Sequence, residues 1–487
     1  MRDATTVKVF NSKRVVSNIL SLGSGEIGAR VIAFIGVTYV ARTLGAEGFG
    51  VIGFASAIFG YLALTVSGGF DDVGAMEVAR RPREASGIAV SVILIRIVVA
   101  FVALAALVVF AWSLNKPATV KLVMALMGLS LLSLAFDTSW VYKGLEQSRR
   151  VGVALILGQA LFVVAVLLVV RGPKDVVFVP LAQFFGELAA ATLLIVPILR
   201  LGKIRLNFRE GLKLVRKSGI RTLTRLFRTL IFTFDVVLIG FMLGERQVGL
   251  YVAPYRICFL LLVVAATINV SYLPALTHAY AQGVEQVEHL IGRVLGLSAA
   301  VAAPLVIGGM ILAAPLLKAV FGPLYVEGTG PFRLLILSIG FVFVHGITRS
   351  LFLISNRLKI EMGIIAIATG LNITLNLFLI PRYGLIGAAL NTALAEGLIV
   401  ILGFVVMYKN DIRLDLRPVI RPLLAAGIMG IVLGVLGRER SLVLSLIVGF
   451  MTYCTALSIL RGVPEDLKPF IQNAISFAGG LGAARKS

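Results

Sequence analysis

Apolar and polar positions along the chain follow a long period. Runs of about twenty apolar residues recur from residue 17 to residue 460, each closed by a short polar or basic join. A hydrocarbon core about 30 Å thick is crossed by about 20 helical residues. Fourteen runs of that kind fall at 17–41, 48–69, 87–111, 118–141, 151–170, 177–199, 219–243, 248–274, 291–315, 331–354, 361–380, 384–407, 419–436 and 441–460. The pattern predicts an all-α polytopic membrane protein with about 14 transmembrane helices.

The runs group into two similar halves. "LGAEGFGVIGFASAI" (44–58) opens the second span and "LGERQVGLYVAPYRI" (243–257) opens the eighth, offset by 199, with Leu-Gly, a later Gly and the final Ile in register. Glu187 in "PLAQFFGELAAAT" and Glu396 in "ALNTALAEGLIVI" form a second echo, each near the middle of the last span of its half. Six spans is an even number, so both copies have the same orientation. This is a parallel repeat, an arrangement that puts a substrate site between two lobes. The expected division is an N-lobe at 1–200, a basic cytoplasmic linker at 201–218, a C-lobe at 219–408, and an added helix pair with a cytoplasmic tail at 409–487.

Composition supports the membrane reading and charge refines it. Of 487 residues, 59% are hydrophobic and 14% charged, against about 25% charged in soluble domains. The net charge of +22 is concentrated in joins that are cytoplasmic if the N-terminus is, which predicts a cell-membrane protein with both termini inside. The densest basic block, "RLGKIRLNFREGLKLVRKSGIR" (200–221), lacks interleaved aromatic residues for base stacking. It reads as a contact with membrane lipid heads and not with nucleic acid. Cys258 and Cys454 both lie in spans, which argues against a disulfide framework. His278, His289 and His345 are too scattered for a zinc site. Without a phosphate-binding GxxxxGK[ST] loop either, no metal or cofactor is expected. The basic N-terminus runs into a full-length span without a clear cleavage site, so no removable signal is expected. Outward joins are short, the longest around 317–330. That leaves little room for a catalytic domain, and a non-enzyme is expected.

Function is therefore sought among charges inside the bundle. Each costs about 2.5–3.5 kcal/mol at a helix centre and calls for a wet cavity, a partner or snorkelling. In the seventh span Arg221, Arg225, Arg228 and Asp235 fall on one stripe at 3.6 residues per turn. Arg221 lies near the cytoplasmic end and is read as snorkelling, Arg225 is balanced between the readings, and Arg228 is deep enough to favour a cavity. Asp235 is read as pairing with an arginine of a neighbouring helix or binding a cation. In the first span Glu26 and Arg30, four apart beside Gly23, Gly25 and Gly28, form either a self-neutralised pair or a site at which Arg30 faces a cavity. Arg256 follows Pro254 in the eighth span, where the helix can open. Arg96, Arg293, Arg333 and Arg349 are further span arginines, and Asp71 and Asp72 read as a solvated cap. The arginine surplus predicts a positive cavity suited to phosphate, which a guanidinium fork binds through paired hydrogen bonds.

"ARTLGAEGFGVIGFASAIFGYLALTVSGGFDDVGAMEVARR" (41–81), "FDVVLIGFMLGERQVGLYVAPYRI" (234–257) and "LNLFLIPRYGLIGAALNTALAE" (375–396) resemble the polysaccharide transporter and O-antigen flippase family of the multidrug/oligosaccharidyl-lipid/polysaccharide exporter superfamily. The resemblance implies two six-span lobes around a central cavity lined by spans 1, 2, 7 and 8. It also implies alternating-access transport of a polyprenyl-pyrophosphate-linked oligosaccharide for surface polysaccharide biosynthesis, with polysaccharide-assembly proteins as partners. Arg30, Arg225, Arg228 and Arg256 fall on the implied cavity-lining spans and are the expected pyrophosphate clamp. Glu26, Asp235, Glu187 and Glu396 are candidates for ion coupling or pairing. In the lipid II flippase branch two extra spans bind the lipid tail, a role open to spans 13 and 14. The alternatives are a cation-coupled multidrug exporter of the same superfamily and a membrane enzyme of glycan assembly.

Overall fold

The computed structural model describes residues 12–68, 70–200, 208–436 and 441–467, for the backbone alone at 12–24, 70, 72, 208–210, 214, 215, 217, 220, 221 and 467. The surroundings of Gly23 and the side chains of Asp72 and Arg221 therefore lie outside what is described, as do both chain ends and the first part of the basic linker. The chain divides into two compact units, 1–229 and 230–487.

The N-terminal unit contains α1 (Ser12–Ser67), α2 (Phe70–Arg80), α3 (Ala85–Ser113), α4 (Ala118–Gly128), α5 (Ser130–Ala135), α6 (Ser139–Gly144), α7 (Ser148–Val169), α8 (Phe178–Leu199) and the first part of α9 (Phe208–Met242). The C-terminal unit contains the rest of α9, then α10 (Glu245–Gln282), α11 (Val284–Ile311), α12 (Ala313–Phe321), α13 (Thr329–Ile354), α14 (Leu358–Tyr408), α15 (Arg417–Val435) and α16 (Leu442–Ile459). Helix is the expected solution because each backbone amide in hydrocarbon must find its partner within the segment.

Among the described residues eleven helical stretches are long and apolar enough to cross a bilayer. Two of them each hold two of the predicted spans. α1 breaks at Gly45 (φ 70°, ψ −179°) and α14 at Gly384 (φ 56°, ψ −136°). α9 supplies the remaining span, its apolar face interrupted by the charged stripe. The fourth predicted span is not one rod but the succession α4, α5 and α6.

Gly45 has a counterpart at the offset of 199. Gly244, which begins α10, adopts φ 89° and ψ 173°, the extended left-handed region open essentially to glycine alone. The two "LG" motifs thus make the same kind of turn between helices, and the glycine in each is a conformational requirement.

Packing follows small residues and buried aromatics. In the N-terminal unit α1 packs most extensively on α7, where a Cβ on Gly25 would collide with the Gly152 backbone. Trp140 and Tyr142 of α6 are fully buried, and the Tyr142 hydroxyl donates to the Leu194 carbonyl at 2.7 Å. In the C-terminal unit the pair α15 and α16 joins the bundle through α11. Ala425, Ala426, Met429 and Tyr453 are buried there, and the Tyr453 hydroxyl donates to the Ala300 carbonyl at 2.7 Å.

The glycine contact sets up a direct comparison. Gly25→Leu inserts a side chain where two backbones touch and should cost about 1–3 kcal/mol, read as a lower melting temperature of the purified protein in detergent. Gly60→Ala, where a Cβ meets nothing within 4 Å, should change stability by less than about 0.5 kcal/mol.

Candidate functional site

In the N-terminal unit the charges meet where α1 ends. Arg96 of α3 is 1% exposed. Its Nη1 donates to the Asp137 carbonyl at 3.0 Å, and its Nη2 to the Ser67 carbonyl at 3.1 Å and to Asp71 Oδ1 at 3.2 Å. The second Asp71 oxygen lies 3.7 Å from Arg225 Nη1 on α9. Two hydroxyls of α9, on Ser218 and Thr222, donate to the Gly68 carbonyl at 2.8 and 2.7 Å. The guanidinium fork thus satisfies two carbonyls freed at helix breaks, and a single carboxylate bridges two arginines. Asp71, expected to be a solvated cap, is a tie between α2, α3 and α9. Of the expected clamp, Arg225 shares its charge with Asp71 and Arg228 is half-buried on the same helix.

Arg30 stands differently. The four-residue spacing from Glu26 does not yield an ion pair, because Glu26 Oε1 points to Lys143 Nζ of α6 at 4.0 Å. Arg30 lies exposed on a face of α1 that also presents Ile27 and Val31. Glu187 on α8 accepts from Ser133 Oγ of α5 and from Gln183 Nε2, both at 2.9 Å.

In the C-terminal unit the centre is Asp235, fully buried on α9. Its Oδ2 accepts from the Tyr251 hydroxyl at 2.5 Å, the Tyr255 hydroxyl at 3.2 Å and the Thr392 hydroxyl at 3.2 Å. Its Oδ1 accepts from the Val236 amide at 2.7 Å. The neighbouring-helix arginine expected from the sequence is replaced by three hydroxyls. A separate set of asparagine contacts lies within α14. Asn391 Nδ2 donates to the Asn372 carbonyl at 2.6 Å and Asn376 Nδ2 to Asn372 Oδ1 at 3.2 Å. The side-chain oxygens of Asn376 and Asn391 are buried without a hydrogen-bond partner. Asp235 is thus a carboxylate held by three hydroxyls and a backbone amide, with no positive charge among these partners.

Glu396, also fully buried, lies with Oε2 3.0 Å from His345 Nε2 of α13, although neither atom meets hydrogen-bond geometry there. Glu187 and Glu396 thus occupy corresponding spans and reach corresponding neighbours, the fourth and tenth spans.

Arg256 on α10 carries a buried Nε with no hydrogen-bond partner. It stands eleven residues into a helix that begins at Glu245, about 16 Å along its axis. The other span arginines are structural. Arg293 Nη2 donates to Asp466 Oδ1 at 2.7 Å, Arg349 Nε lies 3.3 Å from Glu361 Oε1, and Arg333 Nε donates to the Met310 carbonyl at 3.0 Å. The surplus counted from sequence is therefore smaller in effect than in number.

Comparison with known proteins gives the family and the fold of this helical bundle. Residues 15–279 match the family described as "Polysaccharide biosynthesis protein". The chain belongs to that family. A probable flippase, AglR of Haloferax volcanii, is 24% identical over 314 residues, 61% of this chain and 64% of that protein, so the match spans just under two thirds of the relative's length. Among solved structures, the inward closed conformation of the lipid II flippase MurJ superposes with a TM-score of 0.74 at 12% identity, over 91% of this chain and 98% of that one. An inward-facing multidrug resistance MATE family transporter of the MOP superfamily gives 0.63 at 17% identity, over 81% and 98%. The fold of this family member is the MurJ/MATE-like fold, and the chain is a multi-pass membrane protein.

The fork of Arg96 predicts a graded loss. Lysine keeps the charge but cannot serve two carbonyls and a carboxylate from one plane. Arg96→Lys should destabilise the protein by about 1–3 kcal/mol and Arg96→Met by more, read as successive drops in melting temperature.

Proposed function

We propose that this family member translocates a polyprenyl-pyrophosphate-linked oligosaccharide across the cytoplasmic membrane for surface polysaccharide biosynthesis, by alternating access between two six-span lobes, with both termini cytoplasmic. The observation that carries the reading is Arg256, a guanidinium deep in a bilayer-length helix whose buried Nε has no partner. An intramembrane charge without an acid calls for water or an anionic ligand, and phosphate matches the fork. The AglR and MurJ names, which describe flippases, support the direction of the proposal.

Arg30, Arg228 and Arg256 act in this reading as the phosphate-binding charges, with Arg225 divided between substrate and Asp71. An anionic head moving outward is favoured by a negative interior, by about 2.3 kcal/mol per charge per 100 mV. Asp235 is the proposed coupling group. Its site offers oxygen donors to a proton or small cation, whereas Glu26, Glu187 and Glu396 are held by Lys143, by Ser133 with Gln183, and near His345. A cation-coupled multidrug exporter is not favoured, since the family matched is one of polysaccharide biosynthesis.

Two variants separate clamp from coupling. Arg256→Ala should lower glycan export by about 10–100-fold, the worth of a hydrogen bond to a charged group, at unchanged melting temperature, with Arg256→Lys retaining part of it. Asp235→Asn should leave substrate binding intact and remove the dependence of export on Na⁺ or proton gradient. Normal surface glycan in Arg256→Ala cells would reject the clamp.

A further inference from the structure

One well-formed cavity in the C-terminal unit is not used by the transport reading. It has a volume of about 420 Å³ and is walled by the Val284 end of α11, the Arg417 end of α15 and the segment that follows α16. Arg293, Arg417, Arg421 and Arg461 line it together with Glu465 and Asp466. One of those acids is already engaged, since Asp466 accepts from Arg293. The cavity is left net positive, and Arg293 Nε is buried in it without a hydrogen-bond partner.

Its walls are built and not incidental. Gly296 lets Pro418 approach α11, where a Cβ would stand 2.9 Å from the proline ring carbon. Arg421 Nη1 donates to the Arg461 carbonyl at 2.9 Å, which holds Arg461 at φ 50°. That is the left-handed region, costly for a non-glycine residue and concentrated at ligand-binding positions. The first turn of α15 is already met by an acid, since the Arg417 amide donates to Asp415 Oδ1 at 2.9 Å and Pro418 carries no amide hydrogen, so the arginine side chains alone supply the positive charge.

The surroundings select the source of the anion. Leu416, Ile420, Leu423 and Ile459 beside the cavity are large apolar residues about half exposed or more, as expected of helix faces that meet lipid. The cavity thus opens at the end of two membrane helices, where hydrocarbon gives way to headgroups. We propose that it binds the phosphate of an anionic phospholipid headgroup. The guanidinium groups would hold the phosphate while the acyl chains lie against the exposed leucines and isoleucines. The site anchors the added helix pair to the leaflet at that end of the helices. It is independent of the transported substrate, so it stands whether or not the clamp does.

The test uses the full-length protein in nanodiscs of phosphatidylglycerol or of phosphatidylcholine. Native mass spectrometry of the wild type should retain phosphatidylglycerol after release from the disc, and its melting temperature should be higher in the anionic discs. Arg417→Gln should retain the anionic lipid about fivefold less, as removal of one interfacial charge implies, and Arg417→Gln with Arg461→Gln less again. Both should melt as the wild type does in phosphatidylcholine. Equal retention by the variants, or no retained lipid on the wild type, would overturn the proposal. If the double variant melts early in phosphatidylcholine, Arg417→Lys decides: it must keep the lipid that Arg417→Gln loses. Stabilisation of the wild type by inorganic phosphate in phosphatidylcholine discs to the same extent would assign the cavity to a soluble anion and overturn the lipid reading.

Discussion

A charge inside a bilayer is held in place by whatever compensates it, and this constraint orders most of what the molecule shows. A guanidinium taken out of water recovers its solvation only through hydrogen bonds and opposite charge. Arg96 does so through two carbonyls left open at helix breaks and one carboxylate. Asp235 does so through hydroxyls. A buried unmatched Nε is common to Arg96, Arg293 and Arg256, but Arg96 and Arg293 each reach a carboxylate whereas Arg256 has no ion pair among the described residues, and that difference is the structural reason to assign it to substrate.

The same constraint ties fold to function. Helix breaks free backbone carbonyls, and a buried arginine needs carbonyls, so Ser67 at the end of α1 and the gap before α6 sit where Arg96 reaches. The α9 hydroxyls on Ser218 and Thr222 close the Gly68 carbonyl. The C-terminal polar network runs from α9 and α10 to α14, so that displacement of either helix end would be felt at Asp235. Such coupling is what a transporter needs if an ion is to bias its conformations.

Much of this was legible along the chain. The spans follow from the length of apolar runs, and the breaks at Gly45, Gly244 and Gly384 coincide with the predicted joins because only glycine takes those dihedrals. The α9 stripe and the pairing of Glu187 with Glu396 were also visible, being periodic or repeated. Which charge meets which was not. Asp71 lies 25 residues from Arg96, and Thr392 lies 157 from Asp235; no local spacing announces such contacts. Tyr251 and Tyr255 left one trace, four apart on a single helix face, but tyrosines at that spacing serve as core far more often than as donors. For Glu26 and Arg30 the spacing left a self-neutralised pair and a cavity-facing Arg30 both open, and the Lys143 contact that competes for the acid is not visible in it. The cavity at the Arg417 end of α15 draws on three separated segments and leaves no signature in any one of them.

The central claim is that unmatched guanidinium charge in the bundle recognises phosphate on a lipid carrier. It is tested most directly by equilibrium binding of two lipid-linked oligosaccharides to the purified protein, identical except that one carries the pyrophosphate and the other an uncharged linkage. The account predicts tight binding of the pyrophosphate compound alone, and convergence of the two affinities when Arg256 is replaced by methionine. Equal binding of both compounds to the wild type would contradict it.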